Sequence, residues 1–435
     1  MRKLLIIILC AACNFVYGAD IVYSTKVFNP QQVKTLRIRY ADLVGKNAQP
    51  QRPYLVLRDG MIDGSEIDNQ LEISFDELSH SLKQYTYTIS HLNSDWKESD
   101  LLSSDYLRGF TTNDIVDYEF SLNTSVDYTH YSFLFPNEDM RLTASGNYVI
   151  RIYEDGNPDN QVAWACFSVV EPSVKIKANV NAQTDIEYNG RYQQLDITIQ
   201  TANDHSAGNS ANIADNYWIV VRQNGRIDNQ VVRPTPSYIE SNRLNYIHCK
   251  DLIFEGGNEY RRFDIFSTYI AGEHVNRIVY DQGEYHALLF HDDLRARIPY
   301  MNDPDANGLF VVNAERTLNS VEYEGEYMWV HWILRADAPL FDGGIYVSGD
   351  IFNNQFSTDN RMIYDADNHC YYLTSLVKQG GYDYQYVQIP VGSKKASLLK
   401  TEGSHWETRN EYTVYVYYRP FGERHDRLVG ISSFQ

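Results

Sequence analysis

Tyr412-Thr413-Val414-Tyr415-Val416-Tyr417-Tyr418 is the stretch that decides the fold class. All seven side chains are β-branched or aromatic, the kinds that pack best on a pleated surface, and neither Gly nor Pro interrupts them, so the segment reads as a strand. Both of its faces are largely apolar. A membrane-barrel strand alternates an apolar lipid face with a polar lumen face over about ten positions. The barrel alternative, invited by Phe434 near the C-terminus and by 35 tyrosines, is therefore set aside in favour of a sandwich core. Shorter runs of the same character, Tyr85-Thr86-Tyr87-Thr88-Ile89 and Leu195-Asp196-Ile197-Thr198-Ile199, occur upstream. Turn clusters separate such runs at Glu154-Asp155-Gly156-Asn157-Pro158, Gln223-Asn224-Gly225-Arg226 and Phe254-Glu255-Gly256-Gly257-Asn258, spacings that suit antiparallel sheets. Sustained helical periodicity is nearly absent. The expected fold is all-β, with three consecutive immunoglobulin-like β-sandwich domains.

At the N-terminus, Arg2 and Lys3 precede the apolar run Leu4 to Ala12, and Val16-Tyr17-Gly18 supplies a cleavage point, so residues 1–18 read as a secretory signal peptide. The run is about half the roughly 20 apolar residues that a membrane-spanning helix needs. The neighbours of Cys10 and Cys13 do not suit lipidation. Domain boundaries are expected at Val170-Glu171-Pro172-Ser173 and near Asp303-Pro304-Asp305-Ala306-Asn307-Gly308. They divide the mature chain into 19–172, 173–305 and 306–435, each of ordinary sandwich size.

The chain carries 57 acidic and 38 basic residues, a formal charge of −19, and loss of Arg2 and Lys3 makes it two charges more acidic. That balance argues against nucleic acid and anionic lipid as partners. Three cysteines follow the signal peptide, Cys166, Cys249 and Cys370. Their wide separation predicts three free thiols, one in each domain.

Catalytic patterns are missing: there is no GxSxG elbow, no HExxH helix and no phosphate-cradling glycine loop. Asp303-Pro304-Asp305-Ala306-Asn307-Gly308 has the DxDxNG form of a calcium loop, but position twelve is Ala314, the acid arrives one residue late at Glu315, and a strand-like run follows. It reads as a polar turn. His286 and His291, with Asp292 and Asp293, resemble a metal site on paper. Side chains five apart on one strand point to opposite faces, so strand-edge histidines are the better reading. No cofactor, metal or small-molecule ligand is expected.

The ordered motifs His91-Leu92-Asn93-Ser94-Asp95-Trp96, Tyr106-Leu107-Arg108-Gly109-Phe110, Tyr128-Thr129-His130-Tyr131 and Phe135-Pro136-Asn137-Glu138 resemble the plug protein family of the type IX secretion system. The resemblance continues through Ser145-Gly146-Asn147-Tyr148, Gly256-Gly257-Asn258-Glu259-Tyr260 and Glu402-Gly403-Ser404-His405-Trp406-Glu407-Thr408 to Asp426-Arg427-Leu428-Val429-Gly430. It implies a non-enzymatic periplasmic protein that binds the outer-membrane translocon barrel and closes its pore when no substrate is in transit. It implies no insertion into the membrane and transfers no site residues.

Within these motifs, and in Arg262-Phe263-Asp264, which follows Tyr260 and shares the resemblance, Trp96, Tyr148, Phe263 and Trp406 read as core aromatics. His405-Trp406 is the exception: the Gly, Ser, Thr and Asn around it suggest an exposed loop, which makes His405 and Trp406 the candidate partner interface. A second function class comes from Tyr346-Val347-Ser348-Gly349-Asp350-Ile351-Phe352-Asn353-Asn354, similar to a glycogen-binding module. There a tryptophan commonly follows the two asparagines, whereas this chain has Gln355, which lacks the flat platform a sugar ring needs. An exported carbohydrate-binding protein is accordingly the alternative reading.

Overall fold

The computed structural model describes residues 21–46, 48–188, 190–201 and 211–435, so the expected signal peptide of residues 1–18 lies outside the described residues. Strands dominate, and they close three two-layered sandwiches. In the first, Lys26–Val27, Gln161–Val170, Gly146–Glu154, Tyr85–Leu92 and Thr112–Ile115 follow one another across one sheet. Val33–Tyr40, Leu71–Glu77, Thr129–Phe135 and Asp117–Phe120 form the other. Alternation along each strand turns every second side chain inward. Leu71, Ile73 and Phe75 thus meet Tyr148, Ile150 and Phe167 in one core. Aromatic contacts cross the layers, with Phe75 and Tyr85 edge to face at 5.2 Å and Phe135 and Phe167 at 5.7 Å.

The second sandwich joins Lys175–Asn181, Tyr192–Gln200, Arg243–Tyr246 and Tyr238–Glu240 in one layer. The other layer is Val231–Val232, Tyr217–Gln223, Tyr412–Tyr418 and Arg427–Phe434. Its core sets Leu195, Ile197 and Ile199 against Ile219, Val221, Val414 and Val416. In the third, Arg261–Asp264, Gly380–Pro390, Phe310–Val312 and Gly343–Ser348 face a sheet built on Glu284–Leu289, Tyr327–Arg335 and Cys370–Lys378. Phe263 and Trp332 meet across that core at 5.6 Å.

The all-β sandwich architecture is as the sequence predicts, but the boundaries 173–305 and 306–435 do not follow the sheets. Tyr412–Tyr418, expected in the third unit, pairs along its whole length with Tyr217–Gln223 of the second. Arg261–Asp264 and Glu284–Leu289, expected in the second, belong to the third. The third sandwich is therefore inserted into the second, between Ile253–Glu255 and Tyr412–Tyr418. Turn residues mark where a strand ends and carry no information about its pairing partner, which is why the turn-forming stretch at Asp303 to Gly308 looked like a boundary. The sheet does change between Val170 and Lys175, and there the linker is tied down: Glu171 and Ser173 donate backbone N–H groups to Leu428 and Val429.

Packing between the second core and the first sandwich explains why both faces of Tyr412–Tyr418 are apolar. Tyr412, Val414 and Val416 fill the second core. Tyr417 turns outward to join Val170, Trp218 and Leu428 in a cluster closed by the first sandwich, and its hydroxyl donates to Asn147 at 3.0 Å. A different seam joins the first and third sandwiches. There Asp76 Oδ2 accepts from Lys378 Nζ and from the Tyr327 hydroxyl, each at 2.7 Å, and its other oxygen meets His130 at 2.6 Å. Among the described residues no helix is long and apolar enough to cross a membrane.

Candidate functional site

The chain from Glu402 to Asn410 carries the candidate interface pair back from the third sandwich to the second. Its polar composition suggests an exposed loop, yet Glu402, Ser404, Thr408 and Asn410 are buried. Glu402 is inaccessible and accepts from Arg261 Nε at 3.0 Å, Arg295 Nε at 2.6 Å and the Tyr386 amide at 2.9 Å. Burial alone would push its pKa up; Arg261 and Arg295 outweigh that and hold it below the ordinary range. At the far end Asn410 donates to Gly256 O at 2.6 Å and to Gln193 Oε1 at 2.9 Å. Gln193 in turn donates to the carbonyls of Trp406 and Thr408 at 2.7 and 2.8 Å. The exposed-loop reading is thus corrected. Polar residues here satisfy buried backbone rather than face water.

Between these anchors only the middle surfaces. The His405 and Trp406 amides donate to Gly257 O and Gly190 O, each at 2.8 Å. Glycine is required on the opposite wall, because a Cβ on Gly256 would lie 2.1 Å from His405 O. The Trp406 indole rests on Gly190, where a Cβ would approach Cδ1 to 2.9 Å, and 46% of the residue remains exposed. His405 is half-buried, its ring 5.9 Å from that of Tyr300. Its Nε2 is buried and has no hydrogen-bond partner among the described residues. This arrangement presents an indole on a fixed platform, and no cluster of three or more potential metal ligands occurs among the described residues.

The other aromatics of the motifs are interior: Trp96, Tyr148 and Phe263 are all buried. The loop from Asp303 to Gly308 does not gather its oxygens around an empty point. Asp303 pairs with Arg262 at 2.8 Å, while Asp305 accepts the amides of Asn307 and Tyr260. Asp383, from Gly380–Pro390, accepts those of Ala306 and Gly308 at 2.5 and 3.3 Å. Burial, with a smaller contribution from Asp383, pushes the Asp305 carboxyl up to about 7; burial takes Asp383 to about 6. His286 and His291 are not brought together. His286 instead lies 3.0 Å from His331 Nε2 on the neighbouring parallel strand, and His331 reaches Thr374 at 3.0 Å. Sequence spacing could not show that pairing, which depends on which strands are neighbours. Cys166, Cys249 and Cys370 are free thiols, one in each sandwich. Burial pushes the Cys166 thiol up to about 12, which makes it unreactive at neutral pH.

Residues 47–171 match the model of the type 9 secretion system plug protein 1st domain. No curated protein matches. Among solved structures the chain is similar to a crystal structure of a hypothetical protein from Parabacteroides merdae, with a TM-score of 0.87 and 36% identity over 95% of this chain and 99% of that one. The matched segment is the first sandwich from Leu55–Val56 onward, with its His91 to Trp96 and Tyr128 to Glu138 motifs, and the solved relative extends the same fold through the inserted third. Taken together, the motifs, the fold and these matches place the chain in the type 9 secretion system plug protein family.

Proposed function

We propose that this protein is the non-enzymatic periplasmic plug of the type IX secretion system, binding the outer-membrane translocon barrel from its inner side and closing the pore when no substrate is in transit. The observation that carries this reading is the family match over the first sandwich. The architecture supports it in a second way. A stopper has to resist deformation by the barrel around it, and here the third sandwich is inserted into the second and tied to the first by the buried ion pairs Lys378–Asp76 and Arg37–Glu322. The docking anchor on this reading is Trp406, an aromatic held on rigid backbone and half open to a partner.

Deletion of the gene tests the proposal. The expected result is an outer membrane that admits large hydrophilic antibiotics, together with loss of this protein from purified translocon. Unchanged permeability would contradict it.

A further inference from the structure

Where the three sandwiches converge, they leave a cavity of about 600 Å³, walled by Arg37, Tyr40 and Trp96 from the first, Arg222 and Tyr415 from the second and Asp350 from the third. Its size falls within the range of small-molecule sites, roughly 300–1,000 Å³. Four arginines line it, and three have carboxylate partners. Arg37 pairs with Glu322, Arg39 lies 2.6 Å from Glu72, and Arg52 lies 3.4 Å from Glu411 and 3.7 Å from Asp350.

Arg222 is the exception. Only 8% of it is exposed, so bulk water solvates it poorly. Its Nε donates to Gln230 at 3.1 Å, and its Cζ is 5.1 Å from the ring centre of Trp96 and 5.2 Å from that of Tyr415. Among the described residues no acceptor meets its terminal amino groups. Three more orphans line the same cavity: Trp96 Nε1 and Arg37 Nε, both buried and without an acceptor, and Asn354 Oδ1, buried and without a donor. Three of these four unpartnered groups are donors, so the missing partner is mainly an acceptor; the guanidinium among them calls for a negative one, and Asn354 Oδ1 is left to take a hydroxyl or protonated oxygen of the same molecule. Trp96 is also held at φ 60°, the left-handed region that non-glycine residues rarely occupy and that persists where the surroundings enforce it.

We propose that this cavity binds a small organic oxyanion, a carboxylate- or phosphate-bearing molecule. Arg222 supplies its counter-charge, and Trp96 Nε1 and Arg37 Nε supply further donors. The Trp96 and Tyr415 rings flank the guanidinium by cation–π contact and fix its plane, leaving its edge for the ligand. Such a ligand touches all three sandwiches and therefore links occupancy of the cavity to their assembly.

Calorimetric titration of the full mature chain with citrate and with inorganic phosphate, at ionic strength held constant with sodium chloride, tests this. One or both probes are expected to bind at a single site and to raise the melting temperature: citrate alone identifies a carboxylate ligand, phosphate alone a phosphorylated one, and both a site that reads charge only. Arg222→Met should weaken binding by about tenfold or more, and Trp96→Phe, which keeps the ring and removes the donor, by a few-fold. The absence of heat and of any melting shift at millimolar concentrations of both probes would overturn the proposal. So would binding that Trp96→Phe and Arg222→Met leave unchanged. If Arg222→Met does not fold, the Trp96→Phe result decides alone.

Discussion

Lys378 Nζ, in the third sandwich, lies 2.7 Å from Oδ2 of Asp76 in the first, and neither side chain reaches water. Burial pulls the ammonium pKa down, partly offset by Asp76. For the carboxyl, burial pushes up, but Lys378 and His130 outweigh it and hold it below its usual value. Further contacts surround the pair: Lys378 also donates to Glu322 O at 2.5 Å and lies 4.3 Å from the centre of the Tyr128 ring, and Asp76 accepts from Tyr327 and meets His130.

Removing one partner leaves the other charged and dry. Lys378→Met should cost about 3–5 kcal/mol, whereas replacing both residues with apolar ones of similar volume should recover much of that loss. Urea unfolding of the single and double variants measures the difference. A single variant within about 0.5 kcal/mol of the parent, the ordinary range for an inconsequential surface change, would show that the seam does not hold the sandwiches together.

Asp305 gives stability a pH dependence of unusual sign. Its carboxyl titrates at about 7 in the folded protein and near the ordinary carboxyl value of about 3.9 when unfolded. Between roughly pH 4 and 7 the native state therefore binds more protons than the unfolded one, and stability from this group falls as pH rises through that window. Asp383, at about 6, acts in the same direction. His91, whose pKa burial lowers to about 4, acts in the opposite one, costing stability as pH falls below about 6.5, but it is common to parent and variant. Asp305→Asn loses one acceptor at every pH, so its slope, not its absolute stability, is diagnostic. Its stability relative to the parent should improve steadily from pH 4.5 to 8. Parallel curves would mean that Asp305 titrates normally.

Within one short segment, Trp406 and Glu402 should fail in opposite ways. Trp406 is half exposed and lies on a glycine platform, so Trp406→Ala should cost no more than about 1–2 kcal/mol while reducing co-purification with the translocon. Glu402 is buried between Arg261 and Arg295, so Glu402→Gln takes the counter-charge from Arg295 and leaves Arg261 with Asp292 alone, and should cost about 3–5 kcal/mol. Thermal melts beside pull-downs separate docking from folding. An early-melting Trp406→Ala would make the indole a structural residue, not an anchor.

That contrast also shows how far the sequence could be read. Strand character at Tyr412 to Tyr418 and the interior placement of Trp96, Tyr148 and Phe263 follow from local chemistry, and local chemistry is what a sequence displays. The segment from Glu402 to Asn410 misled because Ser, Thr and Asn serve a buried junction as well as a wet loop; the deciding fact is that Gln193 and Gly256, distant in the chain, supply the partners. Arg222, in Tyr217–Gln223, belongs to none of the motifs that the sequence displays. No pattern in the sequence shows that a guanidinium will face a cavity without a carboxylate. Pairing is non-local, and both the misread segment and the unnoticed arginine depend on it.

The insertion of the third sandwich leads to the last prediction, on truncation. If residues 306–435 were an independent terminal domain, a chain ending at Asn410 would keep its first two sandwiches whole. In the structure that cut removes Tyr412–Tyr418 and Arg427–Phe434, half of one layer of the second sandwich, and with them Tyr412, Val414, Val416 and Val429 from its core. A buried apolar side chain of this size is worth about 1.5–3 kcal/mol, so four of them approach or exceed the roughly 5–15 kcal/mol by which a domain is stable. The cut also exposes the edge of Tyr217–Gln223 to other chains and removes Asp426, which accepts from the Ser94 hydroxyl at 2.7 Å across the seam with the first sandwich. The truncated protein is therefore expected to aggregate or to lose hydrogen-exchange protection throughout residues 175–255, while the first sandwich, whose two sheets contain no strand beyond Val170, keeps its own. Retention of protection at Leu195, Ile197 and Ile199 after the cut would show that the second core closes without its last two strands.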